Sequence, residues 1–222
     1  MILFHSFIRI FALNKPPENT TMARYKEYGY DIQDGKAIIP EWETEIKEEA
    51  FRDCEELTSI EFPQWIKKIE DRAFSGCENL TDITLPELVE DIGDEAFSWC
   101  FSITSISIPI SVMSIGNRAF YSCNGLTSVT IPNSVESIGS SAFAYCSGLT
   151  SVTIPNCVTE IEEDTFSGCS NLTSITIPTS VTEIGGFAFP NCSSLTEVRI
   201  PMGCNVDKSA FRNSPNVQII RY

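Results

Sequence analysis

The sequence predicts a single right-handed repeat solenoid, with a parallel β-sheet on its concave face and short helical turns and extended segments on the convex side. Three observations carry this prediction. Prolines recur every 23 residues, phenylalanines and cysteines repeat with the same period, and leucines form a fourth column. Four residue types that share one period are not a coincidence. The prolines stand at 40, 63, 86, 109, 132, 155, 178 and 201, and the cysteines at 54, 77, 100, 123, 146, 169 and 192.

The repeat also predicts where the solenoid begins and ends. Residues 34–222 are expected to form eight turns and a final partial strand, and the last turn is one residue short because Phe189 and Phe211 are 22 apart. Residues 1–33 are predicted to be a leader or cap segment. For residues 1–21 three interpretations stay open. They are disordered, they form a weak leader, or they are not translated because Met22 is the true start.

Each part of one repeat has a physical reason. Residues 149–154 alternate apolar and hydroxyl side chains, which predicts a half-buried strand. Pro155 ends that strand because proline has no amide proton for the ladder. Val158 and Ile161 are expected to turn inward from a second extended segment. Residues 163–166 are acidic at their start and are predicted to form one short helical turn, whose phenylalanine fills the core.

These residues carry a family resemblance. The pattern C-x-x-L-x-x-I-x-I-P-x-x-V-x-x-I-x-x-x-A-F, read over residues 146–166, resembles the BspA-like leucine-rich repeats, and residues 131–143 are close to that consensus. Thr165 replaces the expected alanine and Ile103 an expected leucine. The resemblance covers residues 34–222. It implies an α/β-type leucine-rich repeat fold and a surface or secreted protein involved in adhesion.

Charge limits the classes of partner. The net charge of −15 argues against nucleic acid, whose phosphates require a basic face, and against anionic lipid surfaces. The acidic residues are unevenly distributed along the chain, because residues 1–100 contain 22 of the 30 Asp and Glu residues. A solvated acidic face explains this distribution, and so does a docking surface for a basic partner or for calcium. No stretch has the roughly 20 apolar residues of a transmembrane helix.

The sequence predicts no catalytic, cofactor or metal site. The single histidine, His5, lies outside the repeats, and neither a glycine-rich phosphate loop nor a C-x-x-C pair is present. The cysteine column is interpreted as buried thiols rather than disulfides, because stacked parallel Cβ vectors suit packing better than bridging. The chain is therefore not expected to be an enzyme.

The candidate binding face consists of the residues that flank the middle apolar position of each predicted strand. A solvated strand face explains its hydroxyl groups, and so does a flat surface for a protein or glycan ligand. The aromatic residues at 42, 65, 99, 121 and 145 either form an exposed convex strip or cover the edge of the core. The candidate face contains Ser59, Glu61, Asp82, Thr84, Ser105, Ser107, Ser128, Thr130, Ser151, Thr153, Ser174, Thr176, Glu197 and Arg199.

Together these features favour a non-catalytic protein–protein interaction module, adhesin-like and binding host or matrix proteins. An intracellular scaffold of the same fold is the alternative, and a glycan- or ice-binding solenoid is a more distant one. By resemblance the protein is expected at the cell surface or outside the cell. It is expected in the cytoplasm if Met22 is the true start or the leader does not function.

Overall fold

A computed structural model describes residues 23–222. The predicted leader and His5 lie outside the described residues. A short helix α1 (Arg24–Glu27) is followed by strand β1 (Asp31–Gln33), which pairs antiparallel with β2 (Lys36–Ile38). From there the chain winds through about eight repeats as a parallel β-solenoid, in which each repeat contributes one strand to each of two strips of parallel β-structure.

The first strip contains the predicted strands, and its residues pair with those one repeat away; Val129 of one repeat, for example, lies opposite Val152 of the next. It is divided into three sheets that each span a few repeats. Beyond β2, its strands are β4 (Ser59–Ile60), β6 (Asp82–Ile83), β8 (Ser105–Ser107), β10 (Ser128–Thr130), β12 (Ser151–Thr153), β14 (Ser174–Thr176), β16 (Glu197–Ile200) and β18 (Gln218–Arg221).

The second strip confirms the predicted second extended segment. Each of its strands has two residues and pairs in parallel with the strand one repeat away, as Ile161 does with Ile184. In the first seven strands the isoleucine is buried and the residue before it is more exposed. The strands are β3 (Glu45–Ile46), β5 (Lys68–Ile69), β7 (Asp91–Ile92), β9 (Ser114–Ile115), β11 (Ser137–Ile138), β13 (Glu160–Ile161), β15 (Glu183–Ile184) and β17 (Asn205–Val206).

The predicted short helical turns are wrong. Residues 163–168 form consecutive turns in which Asp164 and Gly168 have φ of 56° and 69°. The amide of Ser167 donates within the repeat to the carbonyl of Asp164, whereas the amide of Phe143 in the preceding repeat donates to the carbonyl of Thr165. A helical turn would direct its amides and carbonyls along its own axis, and the repeats would lose this third ladder of hydrogen bonds. In residues 23–222 the four-residue α1 is the only α-helix, so the α/β-type expectation is also wrong.

The core is a set of columns that run the length of the solenoid. The phenylalanine column is stacked from Phe51 to Phe211, with ring centroids 5.2 to 5.7 Å apart and planes within 9° of parallel. The seven rings from Phe51 to Phe189 are completely buried, and each burial stabilises the fold by about 1.5–3 kcal/mol, whereas Phe211 at the end of the column is half-buried. At the N-terminal end, the buried rings of Tyr25 and Tyr30 both stack on Phe51.

The cysteine column packs as buried thiols. From Cys77 to Cys192, each Sγ donates to the carbonyl of the phenylalanine 26 residues earlier, at 3.0 to 3.3 Å. Burial raises the pKa of Cys123 to about 12, which keeps its thiol protonated at neutral pH. In the last repeat Ser214 takes this place, and its hydroxyl donates to the Phe189 carbonyl at 2.8 Å. The column therefore requires a small hydrogen-bond donor rather than sulfur chemistry.

Candidate functional site

The structure places the predicted binding residues of the central repeats on the exposed side of the first strip. In β8, β10, β12 and β14 a buried Ile or Val lies between two exposed residues, because successive side chains of a strand point to opposite faces. We call these eight exposed residues the hydroxyl face. They are Ser105, Ser107, Ser128, Thr130, Ser151, Thr153, Ser174 and Thr176.

A threonine column that sequence reasoning missed borders the hydroxyl face. The leucine-column positions from Leu57 to Leu195 are each followed by threonine, and in several repeats the threonine hydroxyl donates to the backbone carbonyl one repeat earlier. Thr150 Oγ1, for example, donates to the carbonyl of Thr127 at 3.1 Å. These hydroxyl groups stabilise the stack, and their 23-residue recurrence was the signal that could have identified them.

Both ends of the predicted face differ from its centre because they carry charge. At the N-terminal end, Lys36 forms an ion pair with the exposed Glu61, which lowers the pKa of that carboxyl group. At the C-terminal end, the guanidinium group of Arg199 lies 3.8 Å from Glu197 and 5.9 Å from the ring centroid of Tyr222. Arg199, the one basic residue of the predicted face, thus already has partners within the chain.

The remaining predicted residues also lie along the first strip. Ser59 is half-buried in β4, Asp82 lies in β6, and Thr84 is exposed directly after β6. The structure therefore aligns all fourteen predicted residues along one strip, although only the central eight form a face of uniform chemistry.

Beside β4 and β6 the surface opens into a groove of about 750 Å³. Its apolar lining includes Phe62, Trp65, Leu85 and Leu88, and its polar lining includes Ser59, Glu61 and Thr84 of the predicted face. Sequence reasoning missed this groove. The available signal was the position two residues after each repeat proline, which is Trp42, Trp65 and Leu88 in the first three repeats and then Ser111, Ser134, Cys157 and Ser180.

Three further aromatic residues form an aromatic strip on the turns, in which Trp99 and Tyr145 are exposed and Tyr121 between them is half-buried. The ring centroid of Tyr121 lies 5.3 Å from that of Trp99 and 5.4 Å from that of Tyr145. Trp99 and Tyr145 are 45% and 46% exposed. Tyr145 also covers Gly168, where an added Cβ would lie 2.8 Å from the ring. These rings are tilted against one another, so they do not form a flat platform.

Comparison with known proteins identifies the family. The BspA type leucine-rich repeat region matches residues 35–104 and 90–218 in six copies. The chain belongs to the BspA-type leucine-rich repeat family. None of the curated proteins compared with this sequence matches it.

Two solved structures resemble this BspA-type chain along most of its length. A leucine-rich repeat protein from Bacteroides ovatus is 25% identical with a TM-score of 0.65, and the match covers 86% of this chain and 69% of that one. The T. pallidum leucine-rich repeat protein is 30% identical with a TM-score of 0.67, and the match covers 75% of this chain and 86% of that one. The leucine-rich repeat fold is therefore confirmed.

Family membership supports an interaction role in general terms. Leucine-rich repeat proteins generally bind other proteins and are generally not enzymes. Within residues 23–222, no group of three or more histidine, cysteine or acidic side chains is placed to hold a metal ion. None of the helices in that same range has the length and apolarity that crossing a membrane requires.

Proposed function

We propose that this BspA-type chain is a non-catalytic protein-interaction module, and an adhesin-like surface or secreted protein that binds host or matrix proteins. The observation that carries the proposal is the hydroxyl face, where three successive strands, β8, β10 and β12, present exposed Ser and Thr side chains in register on one sheet, and β14 repeats the pattern in the next sheet. A preorganised face limits the entropy lost on binding, because its side chains are short and its backbone is already fixed.

A variant with four substitutions tests whether the hydroxyl face binds. Ser128→Glu, Thr130→Lys, Ser151→Lys and Thr153→Glu place opposite charges on residues that are paired across the strands. The net charge is unchanged and the strand pairing is expected to persist, while the four central residues of the hydroxyl face become charged. Binding of the full chain to immobilised extracellular matrix, measured by surface plasmon resonance, is expected to fall by about tenfold or more, as for an interface that loses its central contacts.

The matched control alters the second strip. Ser114→Lys and Ser137→Glu introduce one opposite-charge pair across β9 and β11. This control is expected to bind matrix like the unaltered chain. Unchanged binding by the four-substitution variant would exclude the hydroxyl face, and an unaltered chain that binds no matrix would exclude the adhesin-like role.

An intracellular scaffold of the same fold is the second candidate. The exposed free thiol of Cys157 favours it, because thiols persist more readily in reducing compartments. Fractionation of cells that express the chain from Met1 separates the two candidates. Recovery at the surface or in the medium supports the adhesin-like role, whereas recovery only in the cytosol supports the scaffold.

A further inference from the structure

We infer that the groove beside β4 and β6 is a docking site for a basic segment of a partner protein, in which arginine or lysine alternates with apolar residues. This inference rests on the proposed interaction function and names the chemistry of one partner. It is carried by two features of the first three repeats, an exposed apolar column and an excess of carboxylates around it.

The apolar feature is more exposed than a folded core requires. Trp42, Trp65 and Leu88 occupy the same position in successive repeats and are 79%, 52% and 40% exposed. In the next four repeats this position is serine or cysteine, so the fold itself does not require a large apolar side chain there. Trp65 and Leu88 line the groove together, and neighbouring exposed apolar residues with a polar border are typical of a binding surface.

The charged feature selects the partner. Glu61 and Glu87 both line the groove and are exposed, and the side chain of Glu61 remains 77% accessible even in its ion pair with Lys36. Among the described residues that line the groove, Lys36 carries the single positive charge. The surrounding sequence has the same bias, because residues 1–100 contain 22 acidic and 10 basic residues.

Arginine and lysine fit this combination better than other occupants. Their aliphatic stems can lie along Trp65 and Leu88, while the cation interacts with the indole face and with a carboxylate. A second copy of this chain is disfavoured because each copy has a net charge of −15. An acidic or purely apolar segment would offer no cation to Glu87 or to the accessible side of Glu61, whose one partner among the described residues is Lys36.

A defined peptide tests the inference. The probe is a fluorescein-labelled ten-residue peptide that alternates arginine and leucine with serine spacers, titrated with the full chain and followed by fluorescence anisotropy. Trp65→Ser is expected to weaken binding by about tenfold, which combines the loss of apolar and cation–π contacts. The double variant Glu61→Gln with Glu87→Gln is expected to weaken binding by about fivefold or more. Added salt is expected to weaken binding to the unaltered chain as well, because it screens the charges.

Matched controls come from the aromatic strip and from distant carboxylates. Tyr145→Ser removes a ring of similar exposure, and Glu136→Gln with Glu163→Gln removes two exposed charges elsewhere. Both control variants are expected to bind the probe like the unaltered chain. Two altered probes, one with glutamate in place of arginine and one with serine in place of leucine, are expected not to bind. Unfolding midpoints identify a variant that fails to fold, and the carboxamide variant then provides an independent test.

Three results would overturn the inference. The first is that the arginine–leucine probe does not bind the full chain. The second is that the Trp65 and carboxamide variants bind this probe as tightly as the unaltered chain does. The third is that the glutamate probe binds as tightly as the arginine–leucine probe. If matrix binding through the hydroxyl face persists in any of these cases, only the groove assignment fails and the interaction function stands.

Discussion

Two regions of this solenoid share one core and differ in their surfaces. The N-terminal region, residues 36–104, and the central region, residues 105–176, have the same buried phenylalanine, cysteine and isoleucine columns. Ring stacking is also alike, at 5.3 Å between Phe51 and Phe74 and 5.3 Å between Phe120 and Phe143. The surfaces differ, because the N-terminal region has a groove, exposed tryptophans and most of the acidic residues, whereas the exposed strand positions of the central region carry uniform hydroxyl groups.

This difference shows what the repeat constrains. The period fixes the residues that face the core and the ones that tie neighbouring repeats together. It leaves the exposed flanks of each strand and the position after each proline free to vary. A specialised function in such a protein is therefore expected where exposed residues depart from the repeat, rather than where they follow it.

The largest expected effect tests whether the two cores are equivalent. Phe74→Ala and Phe120→Ala each remove a fully buried ring from the same column, so each is expected to lower the free energy of unfolding by about 3–5 kcal/mol. Urea denaturation followed by circular dichroism measures both. A much smaller loss for Phe74→Ala would show that the N-terminal region does not belong to the same cooperative stack.

Alkaline pH tests the cysteine column. Burial raises the pKa of Cys123 to about 12, whereas the pKa of an unfolded thiol is about 8.5. Between these values the unfolded chain has lost a proton that the folded chain keeps, so stability falls as the pH rises, by about 1.4 kcal/mol per pH unit for this thiol. Cys123→Ala is expected to remove that part of the slope in unfolding measurements from pH 8 to pH 10.

The end of the column provides the comparison for this titration. Cys54 is 9% exposed and Cys123 is fully buried, and burial raises the pKa of both. Cys54→Ala is therefore expected to flatten the pH dependence less than Cys123→Ala. Equal slopes for the unaltered chain and Cys123→Ala would contradict a buried, protonated thiol.

A third prediction concerns the spacing of backbones in the central region. An added Cβ at Gly116 would lie 2.6 Å from the carbonyl carbon of Gly93, and backbone cannot move aside as a flexible side chain can. Gly116→Ala is expected to destabilise the fold by about 1–3 kcal/mol. Gly203→Ala is the control, because an added Cβ there meets nothing within 4 Å. Similar thermal midpoints for the two variants would contradict this close approach.

The smallest expected effect on the free energy of unfolding concerns a network of ion pairs in the N-terminal region. Glu49 accepts hydrogen bonds at 2.8 Å from both Arg52 and Arg72 and also pairs with Arg24, and its side chain is 15% exposed. Glu49→Gln is expected to cost about 1 kcal/mol, because a partly shielded network is worth more than an isolated surface pair. The cost is expected to shrink in high salt, and a cost that salt leaves unchanged would argue against an electrostatic origin.

The sequence allowed prediction of whatever depends on the period. The strand positions, the second extended segment and the buried columns all follow from apolar residues that recur at fixed spacing. The turns could not be predicted in this way. Glu95, Trp99, Ser122 and Tyr145 adopt positive φ, although none of them is a glycine or asparagine that favours this conformation. The bonds between repeats hold them there, and no local residue preference signals it.

The candidate site was predictable only in part. The exposed positions of the hydroxyl face follow from strand alternation, and its binding role stays a prediction. The groove depends on how loops of neighbouring repeats approach one another, and its one signal in the sequence is the change from Trp and Leu to Ser and Cys two residues after the repeat prolines. Trp42 and Trp65 were therefore grouped with Trp99, although they lie in the turns directly after the repeat prolines and Trp99 lies in the later turns that precede the cysteine column.

Amide hydrogen exchange of the full chain, with and without the arginine–leucine peptide, tests most directly whether the two surfaces differ in function. Bound peptide is expected to slow exchange in residues 59–65 and 84–88, the segments that contain most of the groove lining, and to leave residues 105–153 unchanged. Slower exchange in the central strands, or in neither region, would contradict the assignment of basic-peptide binding to the N-terminal region.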